Sequence, residues 1–131
     1  MGASYKDLIV WQRAVQLTSE IYRFTSSFPA SEQFGLTNQL RRASVSIPSN
    51  IAEGCGRNTK GEFLQFLGHA KGSNYELQTQ LIISETLGFG SKERRDTATH
   101  LSADVSRLLI ALIRKLREGP APSSTSKPVN L

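Results

Sequence analysis

QLRRASVSIPSNIAEGCGR, residues 39–57, decides how this chain reads. Leu40, Ala43, Ile47 and Ile51 recur at three- and four-residue steps, and Leu36 extends the series backwards. That spacing stacks them on one face of a helix, whereas a half-buried strand alternates with a period of two. A second stripe, Arg42, Ser46, Asn50, Glu53 and Arg57, runs beside the first at the same steps. Pro48 sits inside the run, where it removes a backbone donor and crowds the preceding turn at a cost of about 3 kcal/mol. The segment therefore reads as a kinked helix whose polar stripe holds a neighbouring helix or lines a subunit interface.

Outward from this segment the chain offers three more helices and no good strand. The first runs from about Asp7, a candidate cap, to Ser26, where Phe28-Pro29 ends it. It carries two adjoining apolar stripes, one of Leu8, Trp11, Val15, Thr18 and Tyr22, the other of Ala14, Leu17, Ile21 and Phe24. The helix around residues 39–57 starts near Phe34 and stops at Gly54 and Gly56. Thr59 with Glu62 fits a capping box and opens the next helix, which carries Phe63, Phe66, Leu67, Ala70, Leu77, Leu81 and Leu87 to a break at Gly88. Ser91 caps the last, whose inner face reads Ala98, Leu101, Val105, Leu108, Leu109, Leu112, Ile113 and Leu116.

Short links between four amphipathic helices predict an antiparallel up-down-up-down four-helix bundle over residues 1–118. Residues 119–131, GPAPSSTSKPVNL, are rich in Pro and Ser and read as a disordered tail. Folding helices two and three back at Thr59 sets Arg42 opposite Glu76, Ser46 opposite Gly72 and Asn50 opposite Gly68. An Arg42–Glu76 ion pair and close backbone approach at the two glycines are the resulting expectations. The alternative is that both glycines are tolerated on the surface.

The composition suits one soluble domain, and the net charge of +5 favours anionic partners without requiring them. No secretory leader and no apolar run of bilayer length is present, so the expected location is cytoplasmic. His69 and His100 are too far apart to resemble a metal-ligand pair. Cys55 would be reactive only if Arg57 lowered its pKa, and a plain small residue is the simpler reading. The GCGRNTKG segment, residues 54–61, fails as a phosphate loop because its lysine precedes the last glycine and no strand leads in. Glu53 and Glu76 read as ion-pair partners of arginines. No enzyme, cofactor or metal is expected.

The bundle topology gathers Lys6, Arg57, Lys60, Arg114, Lys115 and Arg117 at the end where helices two and three join, against Asp7, Glu53, Glu62 and Glu118. This is a candidate phosphate-binding patch for RNA or DNA. Basic residues in the last turn of helix four equally well offset its dipole.

These residues resemble a known family. Leu8-Ile9-Val10-Trp11-Gln12, Phe28-Pro29, Gln39-Leu40-Arg41-Arg42-Ala43, Ser46-Ile47-Pro48-Ser49-Asn50-Ile51-Ala52-Glu53-Gly54 and Gly72-Ser73 with Glu76-Leu77 look like those of 23S rRNA intervening-sequence proteins. These are four-helix bundles related to the accessory protein of diversity-generating retroelements. The match covers roughly Tyr5 to Leu87, and the last helix shares only its amphipathic pattern. The resemblance implies a homopentameric barrel without catalytic residues. It also implies a nucleic-acid-binding accessory role, with a protein partner such as a reverse transcriptase in the retroelement relative. A purely protein-binding scaffold is the alternative.

Overall fold

The computed structural model describes residues 4–119, so nearly all of the expected tail lies outside the described residues. Four helices follow one another: α1 (Ile9–Thr25), α2 (Leu36–Cys55), α3 (Lys60–Leu87) and α4 (Lys92–Glu118). Short 3-10 turns cover Tyr5–Asp7 and Ala30–Glu32, and no strand occurs among the described residues.

Local chemistry sets the helix ends. The Glu62 amide donates to the Thr59 hydroxyl at 3.1 Å, and that hydroxyl meets the Glu62 carboxylate at 3.3 Å. The Ser91 hydroxyl accepts the Arg94 amide at 3.2 Å. Gly88, with φ +76, closes α3 in the left-handed conformation that a glycine adopts without a Cβ penalty. The expected Asp7 cap is not used. Asp7 belongs to the first 3-10 turn, and Leu8 precedes α1 without a side-chain cap.

Each helix packs on two neighbours: α1 on α2 and α4, and α3 on α2 and α4. Leu17, Ile21 and Phe24 of α1, Leu40, Ile47 and Ile51 of α2, Leu67 and Leu77 of α3, and Val105 and Leu109 of α4 are fully buried between them. Each such side chain contributes about 1.5–3 kcal/mol relative to exposure. Of the two stripes on α1, the one with Ala14, Leu17, Ile21 and Phe24 is the core, while Val15 and Tyr22 face outward. Thr18 meets Ser44 and Thr25 meets Arg41 across α1 and α2, while Ser46 meets Ser73 and Gly54 meets Phe63 across α2 and α3.

Pro48 does not break α2. Proline deprives the carbonyl four residues earlier, that of Ser44, of its helical donor. The Thr18 hydroxyl of α1 supplies the replacement at 2.9 Å, which ties the two helices together at the proline.

The glycine expectation is corrected at both positions. A Cβ at Gly68 or Gly72 would meet nothing within 4 Å, and both residues are exposed. The close approach occurs at Gly54, where a Cβ would sit 2.9 Å from Phe63 Cδ1 and 2.9 Å from Phe66 Cβ.

Candidate nucleic-acid interface

The polar stripe of α2 separates into parts with different jobs. Ser46 is hydrogen-bonded to the Ser73 hydroxyl of α3 at 2.9 Å, one residue from the Gly72 expected opposite it. The Asn50 amide donates to the Ser46 hydroxyl at 2.9 Å and to the Ser46 carbonyl at 2.8 Å. These two residues lie at the α2–α3 seam. Arg42 and Glu76 do not form the expected ion pair: both are exposed, and the Glu76 carboxylate accepts the Gln80 amide at 3.4 Å. Matching height along two helices is not enough when both side chains point to solvent. Glu53, near the end of α2, pairs with Arg57 just beyond the helix at 2.9 Å, an exposed contact of small energetic weight.

A stability prediction follows from the exposure of Arg42. Arg42→Ala is expected to leave the free energy of unfolding from urea titration unchanged to within about 0.5 kcal/mol, as for surface positions without a partner. A loss of about 2 kcal/mol or more would show that Arg42 is in a buried contact.

At the basic end, the Arg57 guanidinium lies over the Phe66 ring at 4.6 Å, and His69 meets that ring edge-on at 5.7 Å. Lys60 reaches the end of α4: a Cβ placed on Gly119 would be 3.1 Å from its Nζ. Arg114 and Arg117 line a shallow groove of about 380 Å³ with Lys71 and Ile110, and Glu118 borders it. Lys115 is exposed in the last turn of α4. Arg57 and Lys60 cap the bundle end, while Arg114 and Arg117 face the α3–α4 groove, where Lys71 joins them. Lys71 lies about 16 Å along α3 from Lys60 at 1.5 Å per residue, so a list built from helix termini passes over it.

Chemistry of other kinds is sparse. No group of three or more His, Cys, Asp or Glu residues placed to hold a metal occurs among the described residues. Burial pushes the Cys55 thiol above its ordinary pKa, so Arg57 does not activate it as a thiolate. No described helix is long and apolar enough to cross a membrane.

Two features have no counterpart in the sequence reading. Asn74 and Ser102 are buried between α3 and α4 and bonded twice: the Asn74 amide donates to the Ser102 carbonyl at 3.0 Å, and the Ser102 hydroxyl donates to Asn74 Oδ1 at 2.7 Å. Tyr22, Phe34, Arg41 and Arg42 share an open groove on the α1–α2 face. Phe34 is 87% exposed although it opens the segment read as the second helix.

The family model described as 23S rRNA-intervening sequence protein matches residues 6–111 and so extends well into α4. A crystal structure of a protein of unknown function from the S23 ribosomal protein family of Bacteroides thetaiotaomicron is similar, with a TM-score of 0.73 and 21% identity over 81% of this chain and 99% of that one. At that identity the likeness speaks for the fold. No curated protein matches the chain in sequence.

Proposed function

Because the chain belongs to the 23S rRNA-intervening sequence protein family, we propose that it is a non-enzymatic accessory or scaffold protein that assembles with itself and binds RNA or DNA through its basic bundle end. The observation that carries this reading is the meeting of the α3 start with the α4 end, where Lys60 lies beside Gly119 and Arg57 is close in sequence. Phosphate contacts from Lys and Arg release condensed counterions and give binding without sequence preference. Arg114, Lys115 and Arg117 extend the surface along α4, and Lys71 adds a further cation.

The proposed subunit is an antiparallel up-down-up-down bundle, a reading supported by the falling residue numbers along the helix seams. The proposed assembly is a homopentameric ring in the cytoplasm. Tyr75, Ile82, Ile83 and Leu87 of α3 and Ile110 of α4 are exposed, and apolar side chains left open to solvent support self-association; the count of five is what the family resemblance implies. A ring repeats each weak phosphate contact, so affinity on one strand grows by avidity. The same apolar side chains favour the second reading, a purely protein-binding scaffold. A reverse transcriptase is one partner class that the resemblance implies.

Arg57→Glu combined with Lys60→Glu tests the basic end. The variant is expected to lose most RNA retention at low salt, with its circular dichroism and its pentameric native mass unchanged. Retention equal to that of the unaltered protein would remove the basic end from the account, and a monomeric native mass of the unaltered protein at micromolar concentration would remove the ring.

A further inference from the structure

Between α1 and α2 runs an open groove that neither the core nor the basic end uses. Its wider part, about 680 Å³, is lined by Tyr22, Phe34, Asn38, Arg41, Arg42 and Val45 among others, and by no carboxylate. A hollow of about 310 Å³ shares Tyr22 and Val45 with it and continues past Arg23 to Pro48 and Ser49. From the start of α2 to Ser49 the track is about 20 Å long at 1.5 Å per residue.

Three properties of the groove select its ligand. Its aromatic rings are open, Phe34 at 87% and Tyr22 at 43% exposure. The Arg41 guanidinium stacks over the Tyr22 ring at 4.5 Å and is held there by its Nε, which donates to the Thr25 hydroxyl at 2.9 Å. The nearby acids are engaged elsewhere: Glu32 accepts the Leu36 amide at 3.0 Å, and Glu20 lies between Arg23 at 3.4 Å and Arg94 at 3.5 Å. No carboxylate of the groove pairs with Arg41 or Arg42, which stand beside two aromatic faces.

Flat rings next to arginines that no acid neutralises are what a single strand needs, because its bases offer free faces and its phosphates are anionic. A duplex hides its base faces, and an acidic peptide would leave Phe34 unused. We infer that the α1–α2 groove is a binding track for single-stranded nucleic acid, with an unpaired base stacked on Phe34 and backbone phosphates on Arg41 and Arg42. The track is separate from the basic end and does not depend on it.

The test uses the full chain with a labelled single-stranded oligouridylate of about 12 nucleotides and a duplex of the same length, read by fluorescence anisotropy. Phe34→Ala is expected to weaken single-strand binding about tenfold and leave duplex binding unchanged, from the loss of one stacking face. Phe34→Trp should restore the affinity, and the added indole should be quenched by the oligouridylate even when Arg57→Glu and Lys60→Glu are also present. Unchanged single-strand affinity in Phe34→Ala overturns the inference, as does an equal loss for the duplex. A fall in native mass with Phe34→Ala also overturns it, by making the ring a contact with a second copy. If the quenching vanishes once the basic end is reversed, the groove is no site of its own. If the groove variants bind normally while the reversed end does not, the groove fails and the basic end stands.

Discussion

Gly90→Ala is expected to destabilise the bundle by about 2–4 kcal/mol, the sum of a left-handed backbone penalty and an overpacked core. Gly90 has φ +77, and a Cβ there would collide with Phe24 Cε1 and lie 3.0 Å from both Cδ1 and Cζ. Phe24 has little room to retreat. It is fully buried, and its ring meets Phe28 edge-on at 5.1 Å, with Phe28 in turn against Phe89 at 5.5 Å. Gly88 is the internal control, because its φ is +76 but a Cβ there would meet nothing within 4 Å. Gly88→Ala should show the backbone penalty alone, about 1–2 kcal/mol. Urea unfolding of the two variants separates the contributions, and equal midpoints would mean that Phe24 yields without cost.

Asn74→Ala is expected to cost about 2–3 kcal/mol. The change removes the donor to the Ser102 carbonyl and the acceptor of the Ser102 hydroxyl, both inside the α3–α4 seam. A buried polar group left without its partner carries a penalty of about 1–3 kcal/mol, and the lost side-chain volume adds to it. The Gln78 amide still donates to the Ser102 hydroxyl at 2.9 Å but cannot accept its proton with that nitrogen. Ser102→Ala alone should cost less, since Asn74 then keeps its bond to the backbone carbonyl. In a double-mutant cycle the pair should show a coupling of about 1 kcal/mol or more. Strict additivity would show that the two side chains act independently.

Much of the fold was legible because it depends on local chemistry and helical period. The apolar series Leu36, Leu40, Ala43, Ile47 and Ile51 is buried as its spacing predicts. The caps at Thr59 and Ser91 form as expected, and the helix register was off by one residue at Ser46. What escaped depends on which way a side chain points once helices meet. Arg42 and Glu76 lie at similar heights, yet both face solvent. Two equally apolar stripes on α1 compete for the core, and only the placement of α2 and α4 leaves Val15 and Tyr22 outside.

The candidate site was legible to a lesser extent. Arg57, Lys60 and the last turn of α4 follow from topology, because short links bring the α3 start near the α4 end. Lys71 is interior to a helix and joins Arg114 and Arg117 only through lateral packing. Asn74 and Ser102 stand at core spacing, between Ala70 and Leu77 and between Ala98 and Val105, but only the α3–α4 seam shows that they bond each other. Pro48 announced a special position in α2, but its compensation by the Thr18 hydroxyl is tertiary and has no sequence signal.

The central claim, that the basic surface binds nucleic acid through phosphates, is tested most directly by titrating the unaltered protein with single-stranded RNA over a range of salt concentrations. Binding should weaken linearly on a log–log scale, with a slope of about −0.7 for each phosphate neutralised, and should differ little between sequences. No retention even at low salt, or affinity indifferent to salt, would contradict the account and leave the last-turn cations as dipole compensation.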